Sequence, residues 1–114
     1  TKFYGAMTCV VEQGETPFDF TTALHSYYGV SHVSKATIEG PFNGATYVDK
    51  TQNPPTEAPA TSNAWPINAF LEGVFPGLTG PVALADAGRK TRTTIVHSRG
   101  FNDYILWNPH GNGE

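Results

Sequence analysis

Twelve glycines and nine prolines punctuate these 114 residues, often enough that no long helical pattern survives between them. Between them lie short runs rich in β-branched and aromatic residues, the composition of strands. FDFTTALHSYYGV (18–30), KATIEG (35–40), the second half of NGATYVDK (43–50) and INAFLEGVF (67–75) are such runs. PVALADA (81–87), TRTTIVHS (91–98) and DYILW (103–107) follow, and FYGAMTCVVEQ (3–13) is a less regular one at the start. The tally is about seven strands and no helix, so an all-β sandwich or barrel is expected. The length suits one domain.

The connections have their own signals. EQGETP (12–17) reads as a turn, with Gly14 permissive and Pro17 discouraging helix before it. AGRK (87–90) reads as a hairpin turn between two of the strands, with Gly88 able to take positive φ. TQNPPTEAPATSNAWP (51–66), with four prolines, reads as one long irregular loop. In the 18–30 strand, alternation puts Phe18, Phe20, Thr22, Leu24, Ser26 and Tyr28 toward a core. His25 falls on the opposite, more polar face. A histidine there serves as a hydrogen-bonded structural residue, a surface residue, or an acid/base group facing a pocket, and most strand histidines do no chemistry.

Other function classes lack support in the sequence. A formal charge of −3 gives no basic footprint for nucleic acid or an anionic membrane. No apolar run approaches the ~20 residues of a membrane helix, and no signal region opens the chain. The single Cys9 cannot form an internal disulfide, which suits a reducing compartment or a fold that needs no stapling; a non-secreted location, cytoplasm or plastid stroma, is expected, and Cys9 is expected as a small buried residue. No phosphate-cradling loop is present. His25, His32, His97 and His110 match no zinc spacing, so no metal site is expected. A start without methionine, close to a strand pattern, and a finish in turn residues suggest a processed or partial chain.

Three blocks, FTTALHSYYGVS, IEGPFNGATYVDK and GFNDYILWNP, occur in an order and at intervals that resemble the glucose-6-phosphate 1-epimerases, or hexose-6-phosphate mutarotases. The resemblance spans residues 8–110. It implies a galactose-mutarotase-like antiparallel β-supersandwich, of which residues 1–114 would be the central-to-C-terminal part, with no second domain. It also implies interconversion of the α and β anomers of a hexose 6-phosphate, without metal or organic cofactor. Ring opening needs a proton delivered to the ring oxygen and another removed from the anomeric hydroxyl. A histidine, with an ordinary pKa of ~6.5, gives and retakes a proton near neutrality.

The family's ALH histidine is the general acid, which corresponds to His25. Its glutamate partner lies on a strand after the WNP block, and Glu114 falls too soon to be that residue. The family's phosphate-gripping arginines mostly precede the ALH strand. The family's D-R-[VI]-Y motif has LEGVF as its counterpart, placing Glu72 at the sugar-contacting acid and Gly73 at the arginine. Two further departures are Tyr28 for a phenylalanine and His110 for the last aromatic of W-N-P-W. Trp107 is the residue available to stack on a sugar, while Asp49 and Asp103 read as turn residues. Two other functions fit the same blocks: a non-catalytic mutarotase-like subunit of a larger, plastid or cytosolic assembly, and a module that binds sugar without turning it over.

Overall fold

A computed structural model describes residues 1–98 and 100–111. Arg99 and the last three residues, Glu114 among them, lie outside the described residues. Among those described, the chain is all-β. The strands are β1 (Ala36–Glu39), β2 (Thr46–Asp49), β3 (Thr56–Pro59), β4 (Ala64–Pro66), β5 (Leu71–Phe75), β6 (Val82–Asp86), β7 (Thr91–Ile95) and β8 (Tyr104–Asn108). Helix is limited to one 3-10 turn, Val33–Lys35. Every pairing is antiparallel, in two four-stranded sheets ordered β4-β1-β6-β7 and β3-β2-β5-β8.

Alternation along the strands explains which faces meet. On β8, Tyr104 and Leu106 are buried while Ile105 and Trp107 are exposed. Their partners on β5, Phe75 and Gly73, are buried likewise. The opposing sheet contributes Val82, with Ile38, Trp65 and Ile95 packed against the same cluster. Phe42 and Phe75 are fully buried at its centre, their rings 4.8 Å apart. Tyr47 stacks on Phe75 at 5.0 Å, and Trp65 meets it edge-on at 5.7 Å. The Tyr104 hydroxyl donates to the carbonyls of Gly80 and Ile95, which joins β8 to the end of β7 across the sandwich. Burial pushes the Tyr104 phenol above its ordinary pKa.

Gly40 marks the tightest packing at the edge of this core. A Cβ there would lie 2.8 Å from the Phe42 ring and 3.1 Å from Val82 Cγ2, both side chains fully buried and unable to retreat. Gly40→Ala is expected to destabilise the protein by about 1–3 kcal/mol through overpacking, read as a lowered urea midpoint with an unchanged m-value.

Several sequence expectations need correction. Residues 3–13 and 18–30 form no strand. A strand exists only through its ladder, and no described strand pairs with these residues although the outer edge of β8 is open. The face expected in the core is consequently exposed, Phe18 at 62% and Leu24 at 51%. Cys9 is exposed as well, on the same unpaired arm. The Cα radius of gyration with this arm included is 16.1 Å, against ~13 Å for a compact chain near this length.

The 51–66 segment is not one irregular loop, because β3 and β4 lie within it. Both are edge strands, and Pro59 and Pro66 close them where a missing N–H is tolerated. In the β6–β7 hairpin, positive φ falls on Lys90 (54°) and not on Gly88. Gly88 is needed for another reason: a Cβ there would overlap Ser31 Oγ and lie 2.8 Å from Ser31 Cβ. No helix among the described residues is long and apolar enough to cross a membrane.

Candidate functional site

The outer face of the β5–β8 ladder brings together the three residues singled out in the sequence. Glu72 on β5 lies directly opposite Trp107 on β8, and opposed residues share a face of the sheet. Lys50, just past β2, donates its backbone N–H to the Glu72 carbonyl at 2.9 Å. Its ammonium lies 3.0 Å from Glu72 Oε1, with both side chains partly exposed. His25 arrives from outside the sheets. Its ring stands edge-on to the Trp107 indole with centroids 6.2 Å apart, and 5.0 Å from the Tyr27 ring. An acid, a cation, an aromatic platform and an imidazole thus lie side by side.

The segment carrying His25 is fastened at its far end. Ser31 donates both its N–H (2.6 Å) and its hydroxyl (2.5 Å) to the Asp86 carboxylate at the end of β6. Asp86 Oδ1 also accepts from the N–H groups of Gly88 (2.9 Å) and Arg89 (3.1 Å) in the hairpin turn. The Arg89 guanidinium then donates to the Gly29 carbonyl at 3.0 Å. Asp86 is 4% exposed, the one charged residue of the buried set among the described residues. The Ser31 hydroxyl above all, aided by the backbone donors and opposed by burial, lowers its carboxyl to about 2.

That shift carries a stability prediction with a definite sign. The Asp86 pKa is lower folded than unfolded, so its contribution is complete above about pH 4 and is lost as pH falls through about 2. Urea midpoints measured from pH 5 to pH 2 should therefore decline, and Asp86→Asn should flatten part of that decline.

The site is open. His25 is exposed, and Trp107 retains 42% of its surface. A cleft of about 540 Å³ lies on other parts of the fold, lined by Ala45, Tyr47, Val48, Glu57 and the loop from Pro76 to Thr79. His25, Glu72 and Trp107 do not line it. Gly73, which the sequence resemblance aligns with an arginine, faces the core: a Cβ there would meet the Tyr47 ring at 3.3 Å. Neighbours along a strand point to opposite sides, so this position adds nothing to the face that carries Glu72.

The remaining candidates have structural partners. His32 caps the 3-10 turn, its Nδ1 accepting from the Ser34 N–H at 3.2 Å. His97 pairs a ring nitrogen with the Leu78 carbonyl and stands edge-on to Tyr104 at 4.5 Å. The His110 N–H donates to Asn108 Oδ1. Asp49 fixes its turn by accepting from the Thr51 N–H and hydroxyl. Asp103 instead reaches across to the Gly77 N–H, joining two loops. Asp86 and Ser31 are the pair that sequence reasoning missed. The D-A-G-R order hints at a side-chain-capped turn, but nothing local points to a serine 55 residues away.

A curated protein of Cenchrus ciliaris named "Putative glucose-6-phosphate 1-epimerase" is 30% identical to this chain over 95 residues, covering 82% of the chain and 27% of that protein. The chain thus spans about a quarter of the length of the relative it matches. No family profile and no solved structure matches.

Proposed function

We propose that this chain forms part of a hexose-6-phosphate mutarotase, and that the outer face of the β5–β8 ladder is where the sugar binds. The observation that carries this reading is the convergence of His25, Trp107 and Glu72, which lie 35 to 82 residues apart in the chain, at one place. Similarity to the Cenchrus ciliaris protein supports the same class of substrate. Trp107 stacks on the apolar face of the pyranose. Glu72 accepts from a sugar hydroxyl while Lys50 holds the carboxylate in place. His25 donates its proton to the ring oxygen as the C1–O5 bond breaks, and a base removes the anomeric hydroxyl proton, leaving the open-chain aldehyde. Rotation about C1–C2 and re-attack by O5 reverse both transfers and give the other anomer.

The test is relaxation of freshly dissolved α-glucose 6-phosphate, followed by polarimetry or proton NMR with the natural polypeptide. Acceleration proportional to protein concentration supports the reading; relaxation at the buffer rate refutes it. A second reading, a non-catalytic sugar-binding or structural subunit of a larger assembly, draws on the exposure of His25 and the engagement of Glu72 by Lys50. It predicts saturable sugar binding, or none, with no acceleration of anomer exchange.

A further inference from the structure

We propose that Asp86 is a positioning residue that holds His25 against Trp107, acting through Ser31 and Arg89 without touching the sugar. This rests on the reading of His25 given above, but the geometry on which it stands is independent of any activity. The arm before residue 31 has no ladder of its own, and its large apolar side chains stand in solvent. Something else must therefore fix where it crosses β8.

Asp86 is the best-organised group available for that task. It is nearly fully buried, sits at the end of a central strand, and accepts four hydrogen bonds. Two of these come from one residue of the arm and two from the hairpin turn. Arg89 adds a fifth link, to the Gly29 carbonyl, so two points of the arm are tied to one rigid hairpin. Two fixed points set the direction of an emerging chain as well as its origin. His25 lies four residues before the first of them, within reach of Trp107.

Gly88 fits the same account. Its missing side chain lets Ser31 settle against the turn, and no positive φ asks for glycine there. Within the hairpin a Cβ there would meet Asp86 Oδ1 at 3.3 Å, so the severe conflict is with Ser31. The glycine, the serine and the aspartate form one device.

The experiment compares the natural polypeptide with its Ser31→Ala and Gly88→Ala variants, reading the His25 ring protons by NMR for their displacement by the Trp107 indole and for nuclear Overhauser contacts to it. Ser31→Ala removes one arm hydrogen bond and leaves the turn donors on Asp86. Gly88→Ala displaces Ser31 sterically while keeping every donor. Both variants should lose the His25–Trp107 contacts and move the ring protons toward free-histidine positions. Core signals of Phe42 and Phe75 should stay in place, and Asp86→Asn should do the same as the other two. Retention of the contacts in Ser31→Ala and Gly88→Ala would overturn the proposal. So would their loss only in step with the core signals, which marks global unfolding. Because this readout needs no turnover, absence of anomer exchange in the unaltered protein would count against the enzyme reading and leave the positioning role to stand or fall on the NMR result.

Discussion

Replacing Phe75 with alanine is expected to cost the protein about 3–5 kcal/mol, a large share of the 5–15 kcal/mol typical of a domain. Phe75 has no exposed surface. Its ring contacts Phe42 and Tyr47 and receives the edge of Trp65 on β4, so the two sheets meet through it. Removing it leaves a cavity bounded by three other rings, and rings anchored on the β1–β2 loop, β2 and β4 cannot all move in to fill the space. With a urea m-value of ~2 kcal/mol/M, the midpoint should fall by about 2 M. Phe18→Ala is the matched control. It deletes the same ring from an exposed site on the unpaired arm, where a change within about 0.5 kcal/mol is expected. Equal losses from the two substitutions would contradict the core described here.

The second large effect concerns rate. His25→Ala in the natural polypeptide is expected to slow exchange of glucose 6-phosphate anomers about 10²–10⁴-fold, the usual contribution of a general acid. At 1.36 kcal/mol per tenfold, that range corresponds to about 3–5 kcal/mol of transition-state stabilisation. The urea midpoint should hardly change, because the His25 ring is exposed. His97→Ala provides the opposite pattern. His97 packs on Tyr104 and bonds the Leu78 carbonyl, so its loss should lower stability and spare any anomer-exchange rate of the folded protein. If His25→Ala left the rate intact, the ring would be a surface residue that happens to lie beside an aromatic.

Much of the sandwich was legible in the sequence because its strands have a strong period or a clear turn on each side. YILW on β8 is a short apolar run with turn residues on each side, and it folds as a strand whose residues alternate between buried and exposed. The β6–β7 hairpin closes where AGRK indicated a turn. Alternation failed for residues 18–30 because pattern states only what a segment would do if a neighbour completed its ladder. Proline counting failed for 51–66 because a proline forbids a central strand, not an edge one. At the site, Glu72 and Trp107 were identifiable one at a time, but their pairing depends on the β5–β8 register. The Asp86–Ser31 link was least legible of all. It joins a turn to a distant arm, and serine and aspartate occur in turns throughout the chain for local reasons.

A proton–nitrogen correlation titration with glucose 6-phosphate measures the location of the sugar directly. The Trp107 indole N–H, the backbone amides of Glu72 and Lys50, and the His25 ring should shift together along one saturable curve, with unphosphorylated sugar tracing the same residues more weakly. Saturable shifts confined to the Tyr47–Leu78 cleft, or no saturable shift at any residue, would contradict a sugar site on the outer face of β5 and β8.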